Sequence, residues 1–246
     1  MKTFLIALQF LTIIPVRISG KIDERDFGRS LLYFPQIGFL LGAFLASWAF
    51  ILMPLPSPVR SVLILIAWII ITGAVHLDGL ADTCDGFYAG RTREDILRIM
   101  RDSRIGAMGV IGIAVILLVK FALIESLSMP DLCRALVMAT TFSRWSQALA
   151  CLISGYARRE GKATLFIAHA QRNDIIMGGL FTLVLFIGLA GIKGILVFVS
   201  AFLAGLLFVR YARIKIGGMT GDVIGALNEI TEAVVLFSTL MIFSYV

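Results

Sequence analysis

SVLILIAWIIITGAVHLDGLADTCDG, residues 61–86, runs from an uncharged apolar stretch straight into three aspartates, Asp78, Asp82 and Asp85. The first part reads as a membrane-crossing helix, and the second as its polar end. Carboxylates at a membrane boundary are costly to desolvate, so they need partners or a task. On a helix these three fall at i, i+4 and i+7 and share one face. Like charges on one stripe repel each other unless a cation sits between them. Hard oxygen donors with no Cys or His pair nearby favour magnesium, manganese or calcium over zinc.

The whole chain has the character of that apolar stretch. Of 246 residues 59% are hydrophobic and 15% charged, and the mean hydropathy is +0.95. That is too much apolar surface for a soluble globule, and it falls in runs of roughly 17–25 residues, the length that spans hydrocarbon. The expected architecture is all-α: one polytopic integral membrane bundle, residues 1–246, in contact with the lipid bilayer. Seven spans are expected, at 34–53, 60–77, 105–124, 133–153, 175–191, 194–210 and 223–246. Pro54, Pro56 and Pro58 separate the first two. Residues 2–16 are short for a span and read as an interfacial or re-entrant helix. They lack a small-residue cleavage site and lead into Arg17 and a charged loop, so they are read as part of the mature chain. The three cysteines, Cys84, Cys133 and Cys151, have no metal-like spacing. Cys133 and Cys151 lie about 27 Å apart at helical rise, so no disulfide framework is expected.

Charge orients the bundle. With seven spans, the loops at 17–33, 78–104, 154–174 and 211–222, with Arg210, fall on one side and hold sixteen of the 22 basic residues. The opposite side holds Arg60, Arg134 and Lys193. Basic residues collect in cytoplasmic loops, so the aspartates are expected on the cytoplasmic face. The net charge of +6 is then a topological signal and implies no nucleic acid. The bundle leaves room for a homo-oligomer.

Three further constellations stand out. In RDSRIGAMG, residues 101–109, Asp102 or Ser103 can cap the following helix, and arginines beside a helix N-terminus make an anion site. Arg104 reads as a phosphate ligand, and Arg101 equally as a membrane-surface anchor. In GGMTGD, residues 217–222, a glycine-rich turn with Gly218 and Thr220 brings backbone N–H groups toward a phosphate. Asp222, Glu229 and Glu232 then line one face of the last span. Asp222 reads as a substrate or metal ligand. Glu229 reads as a substrate ligand or as the partner of a buried arginine. That arginine is Arg144, near the middle of its span, where an unpaired guanidinium is expensive. It is expected to face the bundle interior against Glu229 or a phosphate. Arg158 and Lys162, in YARREGK at 156–162, add cations on the same side. His76 reads as a hydrogen-bonded neighbour of the aspartates.

With these pieces assembled, the chain resembles the cobalamin synthase family, adenosylcobinamide-GDP ribazoletransferase. The likeness rests on HLDGLADTCDG at 76–86, RDSRIGAMG at 101–109, SRW at 143–145, YARREGK at 156–162 and GGMTGDVIGALNEITE at 217–232, in the family's order. The family typically has Lys at the position of Arg101, which keeps the charge. It often has Ala at that of Cys84, so the thiol is not needed. The resemblance implies the step that closes the nucleotide loop of vitamin B12. α-Ribazole or its 5′-phosphate displaces GMP from adenosylcobinamide-GDP, in the bacterial inner membrane, with Mg²⁺. It further implies a metal site from Asp78, Asp82, Asp85 and Asp222. Arg104, Arg144, Arg158, Lys162, Gly218, Thr220 and Glu229 would hold substrate. A general base would come from Asp82, Asp85 or Asp102, with Asp85 favoured. No Ser, His or Cys in these motifs stands out as a nucleophile, so a direct in-line displacement is expected.

Two rivals are weaker. The CDP-alcohol phosphotransferases of phospholipid synthesis use a D-x2-D-G-x2-A-R run, which Asp82, Asp85, Gly86, Ala89 and Arg91 almost fit, but Gly90 intervenes and the downstream acids are missing. A cation-coupled transporter would place its acids near the bilayer midplane, whereas these cluster beside basic loops.

Overall fold

The computed structural model describes residues 2–158, 161 and 163–245. Among these residues the chain is helical, and its one strand-like feature is an isolated bridge between Tyr156 and Met219. The helices are α1 (Lys2–Leu11), α2 (Glu24–Ser30), α3 (Phe34–Ile51), α4 (Ser57–Thr72), α5 (Val75–Ala89), α6 (Arg93–Ile99), α7 (Ala107–Ser126), α8 (Met129–Ile153), α9 (Thr164–Ala168), α10 (Arg172–Ile216) and α11 (Gly221–Tyr245). Each of the seven expected apolar segments is helical over most of its length. Four continuous stretches are long and apolar enough to cross a membrane: Glu24–Ile51, α7, α10 and Gly221–Ser244. A fifth qualifies if the bent α4–α5 pair is counted as one. At ten residues α1 is about 15 Å long, too short to cross.

The chain departs from the expected boundaries in two places. The helix expected over 60–77 stops at Thr72, because Gly73 (φ 63°) and Ala74 (φ 57°) both adopt the left-handed conformation. A left-handed alanine is disfavoured by about 1–2 kcal/mol. The two residues turn α5 by 91° from α4, and α5 then lies across the beginnings of α7 and α11. The second departure is α10, where Gly191 (φ 56°, ψ −134°) takes a conformation open to glycine alone. The Phe186 and Phe198 rings are 5.6 Å apart. A straight helix would separate those residues by about 18 Å, so the two halves of α10 fold back on each other.

Helix α8 is the hub. It is buried without interruption from Ala135 to Ala148 and is surrounded by α3, α10 and α11. Against α3 the backbones come close. A Cβ added at Gly38 would lie 2.3 Å from the Thr140 carbonyl oxygen, and one added at Gly42 would lie 2.4 Å from Thr140 Oγ1. Small residues one turn apart are how helices in lipid gain packing contact without a hydrophobic drive. The outward faces of α7 and α10 expose Val110, Val115, Leu118, Leu180, Val184 and Leu203, as lipid contact requires.

All four basic loops meet at one end of the bundle. Ala157 N–H donates to the Met219 carbonyl, and Met219 N–H to that of Gly155. Arg93 donates to the Ala157 carbonyl and Arg158 to that of Met100. His169 lies 3.6 Å from Glu24.

Replacing Gly38 by Val should overpack the α3–α8 seam, by about 1–3 kcal/mol. Thermal unfolding in detergent should show Gly38→Val melting well below wild type. Gly188→Ala, where nothing lies within 4 Å of the added carbon, should melt as wild type does.

Candidate active site

Helix α5 carries Asp78, Asp82 and Asp85 as its spacing demanded, but their surroundings differ. Asp78 is exposed and the other two are half-buried. Gly79, between them, packs directly on α11: an added Cβ there would lie 2.7 Å from the Asp222 carbonyl oxygen. This approach brings Asp222 beside the α5 carboxylates. Asp222 pairs with Arg158 at 2.9 Å. Asp78, Asp82, Asp85, Asp222 and Arg158 thus form one patch at the basic end of the bundle. Burial pushes the Asp82 carboxyl up to about 6; Asp222, Asp78 and Asp85 add to the push, against the pull of Arg158. Asp82 lies on α5, beyond residue 77 where the expected span ends.

Asp85 has a structural task. Its two oxygens accept from the backbone N–H groups of Gly106 and Gly109, at 2.7 and 2.8 Å. These are among the first, otherwise unsatisfied donors of α7, and a carboxylate there also complements the helix dipole. An added Cβ at Gly106 would lie 2.4 Å from Asp85 Oδ1, so the loop needs glycine to reach the carboxylate. Cys84 packs against Gly112 of α7.

Asp102 and Arg104 lie in the loop before α7. They pair with each other at 2.8 Å and are exposed. Hydrogen bonds from Arg104 hold the Asp102 carboxyl down at about 2, which makes it a poor base. Both line a cleft of ≈ 580 Å³ that also reaches Asp85, Arg98 and Met108. Thr220 caps α11, accepting from the Val223 N–H at 3.2 Å. Gly218 is needed where it stands because a Cβ would lie 2.3 Å from the Gly155 carbonyl oxygen. The glycine-rich turn therefore stitches two loops together beside Asp222. Lys162 lies outside the described residues.

Arg144 and Glu229 are brought to a different place. Arg144 is fully buried and pairs with Glu232 and Ser143. Glu229 pairs with Lys120 at 2.6 Å, and Lys120 also binds Glu232. Lys120 sits 4.7 Å over the Trp68 ring. Two cations and two anions neutralise one another between α7, α8 and α11. Arg144 does face the interior, but its carboxylate is Glu232 and not Glu229. Lys120 had no assigned role in the sequence. Its one visible signal was a charge inside the apolar run 107–126.

Among the described residues, no three Asp, Glu, His or Cys side chains already converge as ligands on one point. The donors are still of the right kind. Asp78, Asp82 and Asp222 form an all-oxygen set beside the Arg158 cation, and a hard divalent ion would relieve their mutual repulsion.

A protein-family profile described as cobalamin-5-phosphate synthase matches residues 3–240. The chain is 39% identical to an adenosylcobinamide-GDP ribazoletransferase of Geotalea daltonii, over 98% of both chains. It is 37% identical to one of Pseudomonas aeruginosa, over 96% of both, and 34% identical to one of Acetivibrio thermocellus, over 94% of both. No solved structure matches.

Two outcomes follow from the geometry. The Asp82 carboxyl binds its proton more tightly folded than unfolded, so this group's contribution to stability falls as pH rises from about 4 to about 6. Metal-free Asp82→Asn should therefore melt above wild type at pH 8, and the gap should close near pH 4. Lys120→Met, which leaves two buried carboxylates with one cation, should cost about 3–5 kcal/mol. Adding Glu229→Gln to it restores neutrality and should recover much of the loss in a thermal melt; no recovery would show that the ions are not coupled.

Proposed function

Because the chain belongs to the cobalamin-5-phosphate synthase family, we propose that it transfers the cobinamide-phosphate group of adenosylcobinamide-GDP to α-ribazole or its 5′-phosphate, releasing GMP. The observation that carries the site assignment is the gathering of Asp78, Asp82 and Asp222 on one patch at the basic end of the bundle. The product is adenosylcobalamin or its 5′-phosphate, the last step of nucleotide-loop assembly. The reaction exchanges one phosphate ester for another. A ribose hydroxyl oxygen of the acceptor bonds to the phosphorus nearest the cobinamide, and the bond to the GMP oxygen breaks.

Asp78, Asp82 and Asp222 would hold Mg²⁺. When bound, that ion would neutralise charge on the pyrophosphate, the usual electrostatic contribution in phosphoryl transfer. Asp82 is the carboxylate best suited to take the acceptor's proton. Asp85 is engaged through both oxygens by the start of α7, and Asp102 is held as a weak base by Arg104. Burial and its acidic neighbours hold its carboxyl near 6 in the metal-free protein, and a bound cation would draw it down, so the carboxylate would stand ionised at neutral pH. Arg158, held against Asp222, keeps a cation beside the leaving phosphate. Arg104, exposed at the rim of the cleft, is placed to meet phosphate oxygens on entry. Arg144 and Glu229 act as framework in this reading, because their charges are spent on Glu232 and Lys120.

The same reading places the protein in the bacterial inner membrane as a seven-span bundle, with its basic end and the aspartates toward the cytoplasm. That topology is supported by the excess of Lys and Arg at one end.

The test is turnover by purified protein in detergent or liposomes, supplied with adenosylcobinamide-GDP, α-ribazole 5′-phosphate and Mg²⁺, following GMP and the cobalamin phosphate. Wild type should form both products, and EDTA should abolish them. Asp82→Asn should lose at least about a hundredfold in rate, the lower range for removing a general base. Product formation undiminished in Asp82→Asn would refute the placement of base and metal.

A further inference from the structure

A cavity lies behind the aspartate patch, enclosed by residues of α1, α3, α5, α8 and α11, with Phe166 of α9 closing one side. Its interior is ≈ 50 Å³, within ≈ 440 Å³ of atom-free space that includes open solvent at its mouth. Three rings form its apolar wall. Phe10 is 5.9 Å from Phe34 and 4.6 Å from Phe166 by ring centroid, and Phe34 is 5.7 Å from Phe166. Apart from the Cys151 thiol, the polar side chains in the lining are His76 and Gln147. Both are more than nine-tenths buried. Each also carries an atom with no hydrogen-bond partner, His76 Nδ1 and Gln147 Oε1.

The orientation of those two atoms is dictated from the buried ion cluster. Asn228 Nδ2 lies 3.0 Å from Glu232 Oε1 and 3.2 Å from Glu229 Oε1, so it donates to the carboxylates. Its Oδ1 is thereby turned to Gln147, and accepts from Gln147 Nε2 at 2.8 Å. The same Gln147 nitrogen is 3.0 Å from His76 Nε2. An amide nitrogen has only protons to give, so His76 Nε2 accepts, and the neutral imidazole carries its proton on Nδ1. The relay leaves one donor, His76 Nδ1–H, and one acceptor, Gln147 Oε1, beside a wall of aromatic rings.

We propose that this cavity receives the base of the acceptor nucleoside, a flat apolar heteroaromatic bicycle whose unsubstituted ring nitrogen accepts a hydrogen bond from His76 Nδ1. This rests on the function proposed above. A benzimidazole presents a single polar atom of this kind, matching the one donor available. A guanine would bring several donors and acceptors that these walls leave unpaired, and such groups are expensive to bury. Gln147 Oε1 is left to accept from a sugar hydroxyl next to the base. The position is also right for transfer. His76 is two residues before Asp78, and Gly221, in the lining, immediately precedes Asp222. In a nucleoside, base and reacting hydroxyl are one sugar ring apart.

The test compares two acceptors in the transfer assay: α-ribazole 5′-phosphate, and its indole analogue in which the free ring nitrogen is C–H. Wild type should prefer the benzimidazole by at least about tenfold in kcat/KM, the range of one hydrogen bond to a buried group. His76→Ala should lose that preference, the two acceptors becoming equal within about twofold. Ala163→Phe, which fills the cavity from another wall, should raise KM for both acceptors together. Equal use of the two acceptors by wild type, or a preference retained in His76→Ala, overturns the assignment. If wild type forms no product at all, the proposed function falls instead. Equilibrium dialysis of α-ribazole then decides the cavity on its own: binding by wild type that is lost in Ala163→Phe supports it, and binding unchanged or absent overturns it.

Discussion

Four charges buried in the middle of the bundle govern the arrangement of its helices. Lys120 on α7, Arg144 on α8, and Glu229 and Glu232 on α11 are each nearly or wholly removed from solvent. None has an affordable place in hydrocarbon alone. Together they are neutral, and they fix the rotation of three helices about their axes at once. A turn of α11 that moved either glutamate away would leave a cation unmatched. Because α11 is held in this way, its start meets α5 at Gly79, which leaves no room for a larger side chain, and at Gly225, where an added Cβ would lie 3.3 Å from the His76 backbone. The close approach of Asp222 to Asp82 is therefore a consequence of charges more than one turn deeper in the same helix.

The site is built from helix beginnings and ends. Helices α7 and α11 start beside it, α8 ends beside it, and α5 crosses between them because the chain turns at Gly73 and Ala74. Asp85 ties α5 to the first turn of α7 through two backbone hydrogen bonds, and Arg158 ties the loop after α8 to Asp222. The carboxylates without such backbone contacts are the ones proposed above to meet metal and substrate. The separation is physical: one acid on the stripe is consumed in holding the frame, and its neighbours are not.

Much of this was legible in the sequence, and what was not has particular reasons. The long apolar runs, the helical spacing of Asp78, Asp82 and Asp85, and the gathering of the basic loops at one end follow from length, periodicity and charge. The motifs at 76–86 and 217–232 were specific enough to suggest the family, which the match over residues 3–240 then established. The break after Thr72 was hidden, because a glycine inside an apolar run is ordinary and a left-handed alanine leaves no trace in composition. The partner of Arg144 was misassigned because Glu229 and Glu232 share one face, three residues apart, and only the axial rotation of α11 chooses between them. Lys120 showed itself as a lone charge in a span, but its partners lie 109 and 112 residues away. The role of Asp85 depends on how closely residues 106–109 approach it, and spacing alone says nothing of that.

The buried ion cluster also has an order in time. A chain made from its N-terminus delivers Lys120 and Arg144 long before Glu232, which follows them by 112 and 88 residues. During that interval two cations stand on helices already made, without the carboxylates that will neutralise them. The bundle is closed electrically by its last helix. Until α11 arrives, α7 and α8 have reason to remain in a wetter setting than lipid, at the insertion machinery or near the interface. The polar core that is neutral in the finished enzyme is, for the nascent chain, a reason to assemble late.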